Sequence, residues 1–536
     1  MAVGESEAGG AQPLSVEAPI RAAEVVGALS LATDLGTGQP LEHALRSAVL
    51  AVRLGELAGA STQELADTYY VALLHASGCT SNGHEATQLF GEDIEHRAAF
   101  FLIDTSNPAE VLAFYRAHVG AGRAPEVREA MIENVIANAG GPRSRDSFAT
   151  MCEVAQRFAG WLDLGSSIQA ALEYVFARWD GRGFPGVRGD EIPFPMRLLH
   201  VGRDISLFLT AGGADEARSV VGRRTGSAYE PRLAELALAN FDDLVADLDE
   251  ARMWEQALEI EPFPKIWIAG ERVDAAFMAI AALTGLKSPW LREHSTGVAE
   301  LAEAAAWRMG LPDASVTLVR RAALAHDLGR IGVSNAIWEK PGPLGFGEWE
   351  RVRLHPHFTE RAFAQSPALA AIGLLAGSHH ERLDGSGYHR GTRGPGLDQP
   401  ARILAAADCY GAMCEARPHR PALEASAARA ELLQEVDAGR LDADAVDAVL
   451  ACAGHRVRQR PRELPAGLTQ RELEVLLVLV RGESNQGIAD DLGISAKTVG
   501  HHVQHVYEKA GVRSRAAATL WAFENDLVRP ELAHTA

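Results

Sequence analysis

Cysteine and lysine are scarce in this 536-residue chain, and no long uncharged apolar run occurs in it. The five cysteines (Cys79, Cys152, Cys409, Cys414 and Cys452) are odd in number and follow no Cys-x-x-Cys spacing. That argues against a disulfide framework and a thiolate zinc site, and the thiols read as reduced. No segment reaches the roughly 18 apolar residues of a membrane span. Met1 to Pro19 lacks the basic and apolar regions of a secretory signal, so a cytoplasmic protein without membrane contact is expected. Positive charge is also in deficit. A net charge of −20 is incompatible with coating nucleic acid along the whole chain and confines any DNA contact to a small module. The basic residues are nearly all Arg, a compositional hint of a GC-rich bacterial genome.

What is present is apolar content of 47%, ample for packed cores, in a length that implies two to four domains. Alternating β-branched runs are rare, whereas LEHALRSAVLAVRLGELAG and GVAELAEAAAWRMGL carry apolar residues at three and four spacing. The fold class expected is therefore all-α. Residues 1–20 are Gly/Ala/Glu-rich without periodicity and are expected to be disordered.

Self-similarity organises the rest. His43 precedes His75 by 32 residues, as His294 precedes His326, and WDGRGFPGVRGDEIPFPMRLL (179–199) parallels LDGSGYHRGTRGPGLDQPARIL (383–404). Two copies of one helical domain are implied, over 21–265 and 276–455, joined by the Pro-containing connector 259–272. Where the second copy has Asp327, His355, His379, His380 and Asp408, the first has Ala76, Met151, Val175, Phe176 and Arg203. The first copy keeps the scaffold and loses the chemistry, and His43 and His75 read as core remnants. An Arg- and Pro-rich linker, 456–465, leads to a C-terminal unit over 466–530.

The second copy concentrates His294, His326, Asp327, His355, His379, His380 and Asp408. Adjacent residues on a helix point about 100° apart, so the pairs His326-Asp327 and His379-His380 serve a single ion poorly. Two neighbouring ions, bridged by one carboxylate such as Asp327, meet that geometry. Imidazole and carboxylate without thiolate favour two divalent transition-metal ions, iron or manganese rather than zinc. Paired ions can activate a shared water and stabilise in-line displacement at phosphorus.

AHDLGRIGVSNAIWEKPGPL and HHERLDGSGYHRG resemble the motifs of the HD-GYP phosphohydrolases, with the likeness running over 276 to about 455. The resemblance implies tandem HD-domain helical bundles, the first degenerate, and hydrolysis of a cyclic dinucleotide, chiefly cyclic di-GMP, or another phosphoester. It makes the seven residues above the metal ligands. Asp327 and Arg330 take the catalytic positions, and Arg417, Arg420, Asp384 and Tyr388 the substrate-binding ones. Three departures stand out: Arg330 replaces the family lysine, Trp290 replaces the glutamate of trinuclear members, and His389 replaces the proline of GYP. Two metals are thus expected.

LTQRELEVLLVLVRGESNQGIADDLGISAKTVGHHVQHVYEKAGVRSRAAA (468–518) resembles the LuxR-type helix-turn-helix, a four-helix unit. Thr469 and Glu472 form a capping box, Ser484 and Ser495 start the next two helices, and Gly493 makes the turn. The resemblance implies DNA binding through Lys497, Thr498, His502, Lys509 and Arg515, with support from Arg471, Arg513 and the linker, and implies a homodimer. Two functions remain. One is a metal phosphodiesterase coupled to transcriptional regulation; the other is a ligand-sensing transcription factor with little catalysis.

Overall fold

The computed structural model describes residues 18–138, 141–457, 464–525 and 527. Residues 1–17 of the segment expected to be disordered, and 458–463 of the expected linker, lie outside them. The described residues are predominantly helical, as the periodicity predicts, with one two-stranded pairing between Ile20–Arg21 and Trp267–Ile268. Ile20, inside the segment expected to lack structure, is buried in that pairing. Arg21 also bonds Glu261, and Tyr70 donates to the same carboxylate at 2.7 Å. The connector after the first copy is therefore clamped to the start of that copy. No helix among the described residues is long and apolar enough to cross a membrane.

The chain divides into two compact units, one up to Arg456 and one from Val457. Both helical copies share the first. In the second copy, the helix Asp313–Ala325 buries Val316, Val319, Ala322 and Ala323, spaced at three and four, and ends on His326. It thus delivers His326 and Asp327 from its C-terminus to the bundle interior. The turn beyond must be glycine, because a Cβ on Gly329 would lie 2.0 Å from the His355 carbonyl oxygen.

The first copy repeats this construction. His43 and His294 each open a helix, His43–Ala58 and His294–Arg308, and His75 and His326 each close one. A Cβ on Gly78 would lie 1.8 Å from the Met151 carbonyl oxygen, and one on Gly183 would lie 2.3 Å from that of Phe176. The second copy shows the same approaches at Gly329 to His355 and, at 2.4 Å, at Gly387 to His380. Backbone packing therefore pairs Met151 with His355 and Phe176 with His380, in agreement with the sequence alignment of the copies.

A buried ion pair stitches the copies together. Lys287 Nζ donates to Asp93 Oδ2 at 2.9 Å, and neither side chain is exposed. Asp93 Oδ1 accepts from Ser334 Oγ at 2.8 Å and Asn335 N at 2.7 Å. Burial opposes the charge, but Lys287 and Arg97 hold the Asp93 carboxyl down at about 2. Truncating one partner would strand the other charge away from water. Asp93→Ala is expected to cost about 3–5 kcal/mol, and the apolar double replacement Asp93→Leu/Lys287→Met markedly less. Urea unfolding of the three proteins checks this; equal losses in single and double variants contradict it.

Candidate functional site

Five segments converge in the second copy. His294 comes from the start of its helix, His326 and Asp327 from the end of Asp313–Ala325, and His355 from the start of His355–Ala364. His379 and His380 follow Ala370–Ala376, and Asp408 lies within Gln399–Cys414. Asp327 is divided between two groups. Its Oδ2 lies 3.5 Å from His294 Nε2 and 3.4 Å from His326 Nε2, while Asp408 Oδ1 lies 3.2 and 3.7 Å from the same nitrogens. Its Oδ1 lies 3.5 Å from His355 Nε2 and 3.6 Å from His379 Nε2. His380 Nδ1 faces the other oxygen of Asp408 at 3.7 Å. Two sets able to hold an ion result, His294 with His326 and Asp327, and His355 with His379 and His380.

The outward nitrogens are already committed. His326, His355 and His379 each direct Nδ1 at a backbone carbonyl three residues earlier, at 2.6, 2.6 and 2.7 Å. These contacts orient the rings so that Nε2 is aimed at the centre. Burial, then neighbouring imidazoles, pushes His355 and His380 well below the usual range and His379 down to about 4. Against the cost of burial, Arg330 and His326 hold Asp327 well below the carboxylate range, and His294 and His380 do so for Asp408. His294 alone is raised, to about 8: burial works against it, but contacts with Asp408 and Glu415 outweigh that. Neutral imidazoles and ionised carboxylates are the ligating forms. His294 Nε2, His326 Nε2 and Asp408 Oδ1 are buried and make no hydrogen bond, which leaves them able to meet a cation.

Around this centre the expected substrate residues separate. Arg417, with a side chain only 10% exposed, contacts Glu415 at 2.7 Å and lies 3.5 Å from His294 Nδ1. Burial and the nearby Arg330 lower its pKa, so two guanidinium groups flank the centre. Arg330 Nε lies 2.9 Å from Asp327 Oδ1 as an ion contact, with its guanidinium 4.6 Å from the Trp338 ring. Tyr388 stacks on His380 at 4.6 Å.

Two expectations need correction. Arg420 directs its guanidinium at the carbonyls of Ala412, Met413, Glu415 and Pro421, capping the end of Gln399–Cys414 instead of pointing free at the centre. Asp384 is exposed and accepts from Ser386 N at 2.9 Å, a turn contact that leaves it outside the centre. Sequence reasoning missed Glu381, which is buried and accepts from Arg390 N and Thr392 N at 2.8 and 2.7 Å, holding the glycine-rich loop. It also missed Glu415, 3.0 Å from His294 Nδ1. An acid beside the ligand pair was a visible signal for Glu381; nothing local marked Glu415. His389 faces Glu360 at 3.2 Å, outside the ligand group.

In the C-terminal unit, helices Gln470–Val480, Asn485–Leu492, Ala496–Ala510 and Arg515–Glu524 surround a core of Val475, Leu476, Ile488, Val499 and Val506. The caps are those predicted: Thr469 with Glu472, Ser484 and Ser495, with Gly493 at φ 63°. Lys497 and Thr498 are exposed at the start of the third helix, with His501, Gln504 and His505 exposed further along it. His502 is half-buried. Lys509 and Arg515, expected at DNA, are engaged internally. Lys509 Nζ donates to Glu472 at 2.6 Å and to Gly467 O at 3.0 Å, and Arg515 bonds Glu483 O and Asn485. Arg471 likewise bonds Glu474 and Leu492 O, whereas Arg513 is exposed.

Residues 279–445 match the HD domain family, and residues 466–522 match the luxR family of bacterial regulatory proteins. The matches thus assign an HD domain to residues 279–445 and a domain of the luxR family to residues 466–522. Among its relatives is "3'3'-cGAMP-specific phosphodiesterase 3" of Vibrio cholerae serotype O1, 28% identical over 75% of this chain and 88% of that protein. The "cyclic di-GMP phosphodiesterase response regulator RpfG" of Xanthomonas campestris pv. campestris is 28% identical over 50% of this chain and 72% of its own. A cyclic di-GMP phosphodiesterase of Thermotoga maritima is 36% identical over 24% of this chain and 35% of its own. The crystal structure of V-cGAP3, a cyclic GMP-AMP phosphodiesterase of V. cholerae, superposes with a TM-score of 0.58 at 23% identity, covering 82% of this chain and 99% of that one, which shows the shared fold.

The Glu472 carboxyl is held at about 2: burial opposes the charge, but Lys509 and the Thr469 backbone outweigh it. A depressed carboxyl stabilises the fold above its unfolded pKa, ordinarily near 4.5, and loses that contribution as pH falls towards about 2. Amide exchange over 470–524 should therefore show wild type more protected than Glu472→Gln at pH 6, with the difference shrinking below pH 4.5. A difference that does not depend on pH contradicts this.

Proposed function

We propose that the chain is a metal-dependent phosphodiesterase acting on a cyclic dinucleotide and joined to a DNA-binding regulatory output. The observation that carries this reading is the division of one buried carboxylate, Asp327, between two histidine groups. His294, His326 and Asp408 would hold one ion, His355, His379 and His380 the second, and Asp327 both. Iron or manganese suits these donors better than zinc. Such ions supply an activated water and charge neutralisation at phosphorus.

The chain's own groups do the rest. Arg417, with Arg330 behind it, meets the substrate phosphate and fixes its orientation. Glu415 holds His294 by Nδ1 and Arg417 by its guanidinium, so one carboxylate aligns a ligand with a substrate contact. Tyr388 covers His380 at the mouth. The relative that matches 75% of the chain is named for 3'3'-cGAMP, which supports that molecule beside cyclic di-GMP as a proposed substrate. We assign 21–265 to the catalytically silent copy, 276–455 to the acting one and 466–530 to DNA. Leu520, 60% exposed on the last helix, suits the contact of a homodimer.

Anaerobically prepared protein is expected to carry about two transition-metal ions per chain. Asp327→Ala should lose most of them and reduce hydrolysis of a cyclic dinucleotide panel by more than the roughly 10–100-fold of an outer-shell change such as Glu415→Gln. Metal analysis with turnover assays checks both, and His389→Pro should stay within about tenfold of wild type. The luxR-family domain favours a second reading, a ligand receptor. Fully metallated protein that binds the dinucleotide without cleaving it, and changes DNA affinity on binding, would select that reading.

For DNA, exposed Lys497 and Thr498 at the start of the third helix support major-groove reading. Lys497→Ala and Thr498→Ala should each weaken specific binding by about 1–3 kcal/mol in mobility-shift titrations. Lys509→Met should instead lower stability with little change in sequence preference. The reverse pattern overturns the assignment.

A further inference from the structure

The first copy is not an empty scaffold at the place equivalent to the ligand cluster. His43 and His75 persist there, both 4% exposed, with ring centroids 6.3 Å apart. Around them lies a narrow cleft, partly open to solvent, lined by Thr37, Gln39, His43, His75, Phe101 and Arg203. Two of the residues exchanged between copies decide its charge. Asp327 and Asp408 of the second copy correspond to Ala76 and Arg203 of the first, so two carboxylates are replaced by a methyl group and a guanidinium. The scaffold that gathers cations in one copy has its charge reversed in the other.

The groups that line this cleft are not fully satisfied within the protein. Arg203 Nε lies 3.0 Å from Asp204, but Nη1 reaches Val175 O only at 3.5 Å. Asp204 does not neutralise Arg203 alone, because it also accepts from Arg224 at 2.8 Å and from Tyr229 Oη at 2.5 Å. Gln39 is 8% exposed, and its Nε2 is buried without a hydrogen-bond partner. An amide donor left unpaired in a cleft beside a guanidinium marks an anion-accepting position. His75 donates from Nδ1 to Ala72 O at 2.7 Å, which leaves Nε2 as an acceptor. His43 Nδ1 meets Ser206 Oγ at 3.0 Å. Burial pushes His75 down to about 4 and His43 further, so neither ring carries the charge that would repel Arg203.

We propose that this cleft of the first copy binds one phosphate-type oxyanion, with Arg203 and the Gln39 amide as donors. A hydrogen phosphate matches both kinds of group, since its charged oxygens accept from Arg203 and Gln39 while its P–OH donates to His75 Nε2. The ligand proposed is a single phosphate group, either the free ion or the phosphate end of a nucleotide. This inference does not depend on catalysis in the second copy.

The test uses the full chain carrying His326→Ala and Asp327→Ala, so that the second copy does not compete for phosphate. Calorimetric titration with inorganic phosphate should show about one site per chain, weakened at least about tenfold by Arg203→Gln and several-fold by Gln39→Leu, as loss of a charge-assisted and of a neutral hydrogen bond requires. Arg203→Lys should retain part of the affinity, because it keeps the charge without the fork. Adenosine 5'-monophosphate distinguishes the sources: binding of phosphate alone assigns the free ion, and equal or tighter binding of the nucleotide assigns a nucleotide's phosphate end. If Arg203→Gln fails to fold once Asp204 loses a partner, Gln39→Leu, which leaves that ion pair intact, decides. Affinity unchanged in Gln39→Leu and Arg203→Gln, or no saturable binding below about 10 mM in the parent protein, overturns the proposal.

Discussion

A single carboxylate, Asp327, sets the geometry on which the second copy is organised. Its two oxygens face different pairs of imidazoles, and no side chain other than a carboxylate offers two equivalent acceptors to two neighbouring cation positions. Placing that group at 1% exposure is costly unless positive charge surrounds it. Among the described residues, Arg330 and the imidazoles carry that burden, and burial with mutual proximity disfavours charge on three of the imidazoles. The arrangement is one that cations would complement. The imidazoles around Asp327 are held in turn, with the outer nitrogens of His326, His355 and His379 bonded to backbone carbonyls and the turn at Gly329 packed against the His355 backbone.

The two copies show how one backbone accepts opposite electrostatics. The close approaches of Gly78 to Met151 and Gly183 to Phe176 reproduce those of Gly329 to His355 and Gly387 to His380. Glycine at these turns is a requirement of packing and survives when the ligands do not. Once a carboxylate at the Asp408 position is exchanged for Arg203, a cation already lies beside the two remaining histidines, and a metal ion there would be repelled. The first copy still contributes to the second. Asp93 reaches across to Ser334 and Asn335, a few residues beyond Asp327, and Lys287 closes the same buried network. The first copy is thereby part of the wall behind the centre.

Local patterns left a clear record in the sequence. Helical periodicity, the doubled His spacing, the capping box Thr469/Glu472, the N-caps Ser484 and Ser495, and the seven His and Asp positions of the second copy depend on residues close in the chain or on motifs whose spacing is itself the signal. Side chains with long reach were harder to read. Arg420, Lys509 and Arg515 look like anion contacts because they are basic and lie beside functional motifs. Each instead finishes a helix end or an ion pair whose partner the folded backbone supplies.

The sequence by itself determined the helical class, the doubled pattern, the gathering of His and Asp residues in the second copy and their replacement in the first, because these follow from residue type and spacing. Only the tertiary structure decided which basic residues remain free, since a guanidinium or ammonium is claimed by whichever carbonyls or carboxylates folding brings within about 3 Å. It alone revealed Glu415 behind His294, 121 residues away in the chain, and Asp93 beneath Lys287, 194 residues away. Those pairings are long-range and involve single side chains, so no local period or motif records them.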